Sequence, residues 1–189
     1  MSQGRLVYVV GASGVGKDSV LTHLRARLQP EDRIVVAHRY ITRPVLIGGE
    51  NHIALTRQEF ELRKAAGCFA LHWESHGFHY GIGREIESWL AQGLTVLVNG
   101  SRAHGSVVRQ QYPAALVIEI DASEEVIRAR MLARNRESEV EIEARLTRNR
   151  WLTGFPVDFQ ISNEGSVEET AAALLALLQQ ERTLSSCSS

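Results

Sequence analysis

Seven residues near the N-terminus have the spacing of a phosphate-binding loop. They follow the pattern Gly-x-x-x-x-Gly-Lys and read Gly11, Ala12, Ser13, Gly14, Val15, Gly16, Lys17. Glycines let backbone N–H groups approach a phosphate without a Cβ in the way, and the N-terminus of a following helix favours an anion. The lysine supplies a point charge for the β- and γ-phosphates of a nucleotide. An apolar run before the loop and a helical pattern after it are the context that this motif requires.

The residue after the lysine departs from the usual motif. A Ser or Thr at this place binds Mg²⁺, whereas this chain has Asp18 and carries its hydroxyl one residue later, at Ser19. A helix turns ~100° per residue, so Ser19 points in another direction. A carboxylate beside a triphosphate is repelled unless a cation lies between them, which favours Asp18 facing Mg²⁺ directly or through water. The alternative is an acid stabilised by the helix dipole alone, and the sequence favours the two equally.

Apolar runs alternate with amphipathic stretches along the chain. This alternation predicts an α/β fold with a parallel sheet covered by helices on both faces. Strands are predicted at 6–10, 33–37, 94–98, 115–120 and 159–161, with an additional pair at 69–73 and 78–81. Helices are predicted at about 17–28, 56–67, 84–92, 123–134, 141–151 and from 166 onward.

Composition narrows the classes of function. The 21 basic and 22 acidic residues give a net charge of −1, so there is no overall basic bias for nonspecific nucleic-acid binding. The two cysteines, Cys68 and Cys187, are far apart and indicate neither a disulfide framework nor a zinc site. No apolar run approaches the ~20 residues that span a membrane, and the N-terminus has no basic-then-apolar leader. We therefore expect a cytoplasmic protein that binds neither nucleic acid nor membrane.

Several further segments, in order along nearly the whole chain, resemble those of guanylate kinases. Beside the loop they are Tyr40-Ile-Thr-Arg-Pro44, Gly49-Glu50-Asn51-His52, Tyr80-Gly81, Asn163 and the arginines 130, 134, 145 and 148. The resemblance implies a P-loop NTPase fold with a small acceptor-binding insertion and a lid. It also implies one domain over 1–182, with a core at about 1–37, 93–132 and 151–182, an acceptor region at 38–92 and a lid at 133–150. Residues 183–189 are expected to form a disordered tail.

A closer resemblance is to the ribose 1,5-bisphosphate phosphokinases, relatives of guanylate kinases that belong to phosphonate breakdown. It lies in Gly-Lys17-Asp18-Ser19, Arg39-Tyr-Ile-Thr-Arg-Pro44, Gly49-Glu50-Asn51-His52, His72-Trp73, His79-Tyr80-Gly81 and Asn99-Gly-Ser101-Arg102. This resemblance implies that ATP and ribose 1,5-bisphosphate give ADP and 5-phosphoribosyl 1-diphosphate. It also makes Asp18 an expected residue after the lysine.

The residue chemistry agrees with an acceptor that has no base. Guanylate kinases read guanine with acids at two places where this chain has His72 and Asn99, which no longer offer carboxylates to the N–H edge of the base. A phosphate monoester is largely ionised at pH 7, since its second pKa is about 6, so no general base is needed. Catalysis then reduces to alignment and charge neutralisation, and the histidines are expected to bind rather than to act as bases.

The predicted site has three groups of residues. Those for ATP are the seven loop residues with Asp18 and Ser19, and Mg²⁺ is expected as the cation. Those for the sugar phosphate are Arg39, Arg43, Glu50, His52, His72, His79, Tyr80, Asn99 and Arg148. Those for catalysis are Lys17, Arg134 and Arg145, the two arginines acting from a closing lid on the transferred phosphoryl group.

Two alternatives stay open at this point: an ordinary nucleoside monophosphate kinase, and a non-catalytic guanylate-kinase-like binding module. The missing acidic base readers speak against the first, and the retained lysine and lid arginines against the second. An ATP-hydrolysing motor would have an apolar strand that ends in a metal-binding acid. The sequence shows no such strand, because Leu94–Val98 is followed by Asn99 and Asp121 belongs to a turn. The sequence does not fix the oligomeric state, and a homodimer is one option.

Overall fold

A computed structural model describes residues 4–45, 50–134, 138–151 and 154–187. Nine strands and seven α-helices occur in these ranges. The strands are β1 (Arg5–Val10), β2 (Ile34–Val36), β3 (Arg39–Ile41), β4 (Ile53–Ala54), β5 (Phe69–Ser75), β6 (Phe78–Gly83), β7 (Thr95–Asn99), β8 (Leu116–Asp121) and β9 (Phe159–Ser162). The helices are α1 (Lys17–Arg25), α2 (Arg57–Ala65), α3 (Glu85–Ala91), α4 (Gly105–Gln111), α5 (Glu124–Arg134), α6 (Glu139–Trp151) and α7 (Val167–Cys187).

The larger sheet has five strands in the order β2-β7-β1-β8-β9, and every neighbouring pair is parallel. Its central strand β1 divides its side chains between two cores. Val7 and Val9 pack with the apolar faces of α1, α5, α6 and α7, whereas Leu6, Tyr8 and Val10 pack on the opposite side. Such two-sided burial explains why these strands read as continuous apolar runs, and it confirms the predicted parallel sheet with helices on both faces.

The smaller sheet has four strands in the order β4-β3-β6-β5 and lies within the predicted acceptor region. The β5–β6 hairpin is antiparallel, and its turn contains His76 at φ 52° and Gly77 at φ 73°. A turn of this kind needs two residues at positive φ, which fixes the pairing of Trp73 with Tyr80. The short strands β3 and β4 are absent from the sequence prediction because two or three residues carry no periodicity. The seven-residue helix α4 is also absent from it.

Helix starts follow the capping chemistry that the sequence predicts. Thr56 accepts a hydrogen bond from the Glu59 N–H at 3.1 Å, and Ser166 accepts one from the Glu169 N–H at 3.2 Å. Sequence reasoning missed an equivalent box at Ser138, whose N–H and hydroxyl both reach Glu141 at 2.8 Å. It explains why α6 begins two residues earlier than predicted.

One predicted boundary needs correction. The tail expected from residue 183 is helical as far as Cys187, because α7 continues without interruption. The lid expected over 133–150 stays a prediction, and within it Ile142 and Leu146 of α6 are each 1% exposed and belong to the main core. Among the described residues, no helix combines the length and apolar character that crossing a membrane requires.

Candidate active site

The phosphate loop runs from the end of β1 to the start of α1, as the sequence predicts. Gly14 and Gly16 have φ values of 88° and 100°, which a residue with a Cβ rarely adopts. A Cβ on Gly14 would also lie 2.3 Å from the Met131 side chain. The backbone conformation therefore requires both glycines, and a Cβ on Gly14 would also have to displace the end of the Met131 side chain.

Side chains pair with the carbonyls of the phosphate loop. Lys17 Nζ donates to the carbonyls of Gly11 at 2.9 Å and Ala12 at 3.1 Å. The Val15 carbonyl accepts from Arg130 Nη1 at 3.1 Å and from Asn163 Nδ2 at 2.7 Å. Arg130 and Asn163 lie on other parts of the chain, so their bonds to Val15 help to hold the loop in shape without a bound anion.

Lys17 lies where a phosphate would replace backbone carbonyls as its partner. Burial lowers the pKa of Lys17 to about 8, although the neighbouring Asp18 carboxylate acts in the opposite direction. The ammonium is thus poorly solvated, and an incoming anion restores a favourable environment for its charge. Ser19 occupies the first turn of α1, and its carbonyl faces His23 Nδ1 at 2.9 Å.

Asp18 joins the phosphate loop to the smaller sheet. Its Oδ1 accepts from Arg39 Nη2 at 3.2 Å and from Asn99 Nδ2 at 2.5 Å. Arg39 in turn donates from Nε to Glu50 at 2.5 Å, and Arg43 Nη2 donates to the other oxygen of Glu50 at 3.0 Å. Asp18 and Glu50 therefore hold Arg39 beside the phosphate loop, and Glu50 also holds Arg43. Both arginines are predicted acceptor residues.

The ion pair between Arg39 and Glu50 is largely buried. The side chains of Arg39 and Glu50 are only 11% and 9% exposed. Burial alone would lower the pKa of Arg39, but Glu50 and Asp18 more than offset it and the net shift is upward. A cleft lies beside this ion pair, lined by Asp18, Thr22, Arg25, Ala37, Arg39, Glu50, Asn51 and Asn99.

Tyr80 is placed at the same cluster. The Arg39 guanidinium lies 5.3 Å from the centre of its ring. Trp73 stacks on Tyr80 at 5.5 Å with an interplanar angle of 4°, and His104 stacks on Trp73, also at 5.5 Å. Sequence reasoning missed Trp73 as a wall of the site, although its cross-strand pairing with Tyr80 follows once the hairpin turn is known.

The structure corrects the predicted acceptor contacts of three histidines. His72 alternates along β5 with the buried Leu71 and Trp73, so its side chain points to the face opposite Tyr80 and Arg39. His79 lies on that opposite face too, with its ring 5.4 Å from Phe60 of α2. The two-residue hairpin turn sets this register, and a shift by one residue would reverse both side chains.

His52 has a structural position instead of an acceptor contact. It is 6% exposed, and its ring nitrogens lie 3.0 Å from the Glu50 carbonyl and 2.9 Å from the Arg43 carbonyl. The ring therefore ties together the two ends of the segment that carries the acceptor arginine and its carboxylate. No ring nitrogen is left for an acceptor phosphate.

Helix α6 brings Arg148 to the tip of the smaller sheet. Arg148 Nη1 lies 2.8 Å from His76 Nδ1 in the β5–β6 turn, so α6 reaches the tip of the smaller sheet. Arg145 is half-buried on the same helix. Arg134 ends α5, and its side chain lies outside the described part of the chain. The roles of Arg134, Arg145 and Arg148 in the reaction stay predictions.

A polar residue on the inner face of α6 also escaped sequence reasoning. Asn149 bonds both backbone groups of Ser13, at 3.0 Å and 3.1 Å. It continues the stripe of Ile142 and Leu146 at a spacing of three to four residues, where an apolar residue is expected. A polar residue in a core stripe is the signal that could have singled it out.

The fit of Mg²⁺ can be judged from the donors present. Within the described ranges, no cluster of three or more His, Cys, Asp or Glu side chains could hold a metal ion. Mg²⁺ at a nucleotide is held by one or two carboxylates together with phosphate oxygens and water, so a full protein cage is not needed. Asp18, with a side chain 51% exposed beside the phosphate loop, is compatible with that arrangement.

Comparison with known proteins agrees with this architecture. The guanylate kinase family model matches residues 3–181. A ribose 1,5-bisphosphate phosphokinase PhnN from Desulfomicrobium baculatum is 51% identical over 175 residues, covering 92% of this chain and 94% of the relative. One of the same name from Burkholderia pseudomallei is 49% identical over 181 residues, covering 95% and 97%.

Among solved structures, the guanylate kinase of Anaplasma phagocytophilum superposes with a TM-score of 0.71 at 20% identity, over 95% of this chain and 87% of that one. This likeness concerns the fold alone. The matches in sequence span nearly the whole chain, and the chain belongs to the guanylate kinase family and, within it, to the ribose 1,5-bisphosphate phosphokinases.

Proposed function

We propose that this protein transfers the γ-phosphoryl group of ATP to ribose 1,5-bisphosphate, giving ADP and 5-phospho-α-D-ribose 1-diphosphate. The observation that carries the proposal is the Asp18 bridge. It places Arg39, and through Glu50 also Arg43, beside the phosphate loop. Two guanidinium groups held beside the nucleotide site suit a phosphorylated acceptor. The names of the similar proteins support ribose 1,5-bisphosphate as that acceptor.

The reaction needs positioning more than acid–base chemistry. An oxygen of the acceptor's 1-phosphate attacks the γ-phosphorus, and the bond from that phosphorus to the β–γ bridging oxygen breaks, so that ADP leaves. The attacking oxygen belongs to an ionised monoester and has no proton to lose. His72 and His79 face away from the arginine cluster, which agrees with a mechanism that has no histidine base.

Each group of this chain has a distinct task in the proposal. The phosphate loop and Lys17 bind the nucleotide phosphates, and Arg39 and Arg43 bind an acceptor phosphate. Arg145 and Arg148 of α6 add positive charge where the two substrates meet. Asp18 would hold Mg²⁺ directly or through water, and the ion would supply neutralisation of the β- and γ-phosphate charge.

Charge also favours an acceptor with more than one phosphate. Two guanidinium groups line the cleft, from Arg25 and Arg39, and Arg43 adds a third through its bond to Glu50, against the carboxylates of Asp18 and Glu50. Each phosphate monoester carries a charge of about −1.5 to −2 at pH 7. Further cations from α6 and Mg²⁺ would complete the neutralisation when both substrates are bound.

The test is incubation with ATP, Mg²⁺ and ribose 1,5-bisphosphate, followed by ³¹P NMR. The expected result is a pair of diphosphate resonances on the sugar, appearing together with ADP. A Lys17→Met variant is the matched control for the phosphate loop, and GMP, AMP and CMP in place of the sugar test the nucleoside monophosphate alternative. ADP formed equally fast without any acceptor would overturn the proposal, as would faster turnover with GMP.

A further inference from the structure

A side chain of α6 contacts the phosphate loop, and the proposed function does not account for this contact. Asn149 Oδ1 accepts from the Ser13 N–H at 3.0 Å, and Asn149 Nδ2 donates to the Ser13 carbonyl at 3.1 Å. One side-chain amide thus pairs with both backbone groups of a single loop residue, across 136 positions in sequence. Ser13 lies in the middle of the loop, where no strand or helix ladder would otherwise pair these groups.

The surroundings fix which way the amide points. Arg102 Nη2 lies 3.4 Å from Asn149 Oδ1, so a cation faces the oxygen end of the amide. Arg102 is itself 11% exposed, with Nη1 3.7 Å from Glu119 of β8. Turning the amide over would place its NH₂ group against both Arg102 and the Ser13 N–H, which are donors.

The helix that carries Asn149 is anchored rather than loose. Ile142 and Leu146, three to seven residues before it on the same face, are each 1% exposed in the main core. The amide therefore reaches the loop from a rigid support. A contact from a packed helix can hold the loop in one shape, which a contact from a mobile segment would not do.

We propose that Asn149 is a positioning residue for the phosphate loop. By pairing with both backbone groups of Ser13, it fixes the middle of the loop so that the other N–H groups converge on the nucleotide phosphates. It adds to the contacts from outside the loop, since Arg130 and Asn163 both donate to the carbonyl of Val15. The inference rests on the nucleotide half of the proposed function and not on the identity of the acceptor.

The experiment measures binding of ADP and of AMP to the full chain by calorimetry, with AMP measured by competition where it binds weakly. Asn149→Ala removes both contacts and replaces Asn by a better helix former, so loss of α6 would not explain a defect. Thr147→Ala, at an exposed position on the same helix, is the matched control. Melting curves of the ligand-free proteins establish that each is folded.

We expect Asn149→Ala to bind ADP about tenfold more weakly, because it loses two neutral hydrogen bonds that preorganise the loop. AMP, which lacks the β-phosphate, should lose at most about twofold, and Thr147→Ala should match the wild type. Unchanged ADP affinity in a folded Asn149→Ala protein would overturn the inference, and so would an equal loss for ADP and AMP. Should the wild type itself not bind ADP, the proposed function fails together with the inference.

If Asn149→Ala does not fold, Asn149→Leu provides the test. It keeps the approximate size of the side chain and adds no charge near the phosphates, but it removes both contacts with Ser13. A residue that serves only for packing would tolerate this change, with ADP affinity close to that of the wild type. The positioning role requires weaker ADP binding with a smaller effect on AMP.

Discussion

Asp18 can be tested for two tasks by comparing two substitutions. In the structure one oxygen, Oδ1, accepts from both Arg39 and Asn99. Asp18→Asn keeps an oxygen at that place but removes the negative charge. Asp18→Ala removes the oxygen and the charge together. The pair of variants therefore separates hydrogen bonding by Asp18 from its electrostatic role.

The effect on stability follows from the burial of the two partners. Because the Asp18 side chain is 51% exposed, we expect loss of its ion pair with Arg39 to cost only ~0.2–1 kcal/mol. Asn99 is 5% exposed, and within the described residues its Oδ1 is already a buried atom without a hydrogen-bond partner. Asp18→Ala would also leave Nδ2 unpaired, at a cost of ~1–3 kcal/mol.

Thermal melting measures this difference. For a chain of this size 1 kcal/mol corresponds to a shift of roughly 2–4 °C in Tm. We therefore expect Asp18→Asn to melt within about 4 °C of the wild type, and Asp18→Ala to melt several degrees lower. If both variants lost the same amount, Asn99 would not depend on the Asp18 oxygen, and the bridge between loop and smaller sheet would be wrong.

Turnover measures the electrostatic role. We expect both variants to lose at least tenfold in kcat/KM, because neither offers a carboxylate to Mg²⁺ or to Arg39. ADP release is followed over a series of Mg²⁺ concentrations at saturating ATP, and the apparent Mg²⁺ constant should rise in both. Wild-type turnover and wild-type Mg²⁺ dependence in Asp18→Asn would refute a metal role for this residue.

Three further predictions concern neighbouring residues. Glu50→Gln removes the carboxylate shared by Arg39 and Arg43, so we expect the acceptor KM to rise about tenfold or more while the ATP KM changes less than threefold, as steady-state kinetics would show. The pKa of Lys17 is lowered to about 8, so the ammonium is fully present below that pH and lost above it. The kcat/KM for ATP should therefore fall above pH ~8 by up to tenfold per pH unit, and Lys17→Arg, which stays charged, should lack this decline. Asn163 is fully buried between the Val15 carbonyl and a donating Thr170 hydroxyl at 2.7 Å, so Asn163→Ala should lower the free energy of unfolding by ~1–3 kcal/mol in urea titrations, and no loss would show that these bonds add nothing.

Local chemistry explains which features the sequence could predict. The glycines of the loop, the apolar run of β1 and the caps at Thr56 and Ser166 act over a few residues, and each has a recognisable pattern. They predicted the phosphate loop, most helix starts and the two-sided parallel sheet. Arg39, Arg43 and Glu50 were singled out by resemblance, and the structure places them together in one cluster.

The errors at the histidines arise from register. A strand prediction says that side chains alternate between two faces, but not which face meets the phosphate loop. That choice depends on the two-residue turn at His76 and Gly77 and on the pairing of β6 with β3. It put Trp73 and Tyr80 on the site face and left His72 and His79 on the other.

The phosphate loop, the parallel α/β fold and the unusual Asp18 were determined by the sequence alone, because each depends on neighbours within a few residues or on one-dimensional apolar patterning. The tertiary structure decided what Asp18 and Asn149 contact. Their partners lie 21 and 81 residues away for Asp18 and 136 residues away for Asn149. Contacts over such separations depend on how strands are ordered and how helices pack, and no local pattern encodes them.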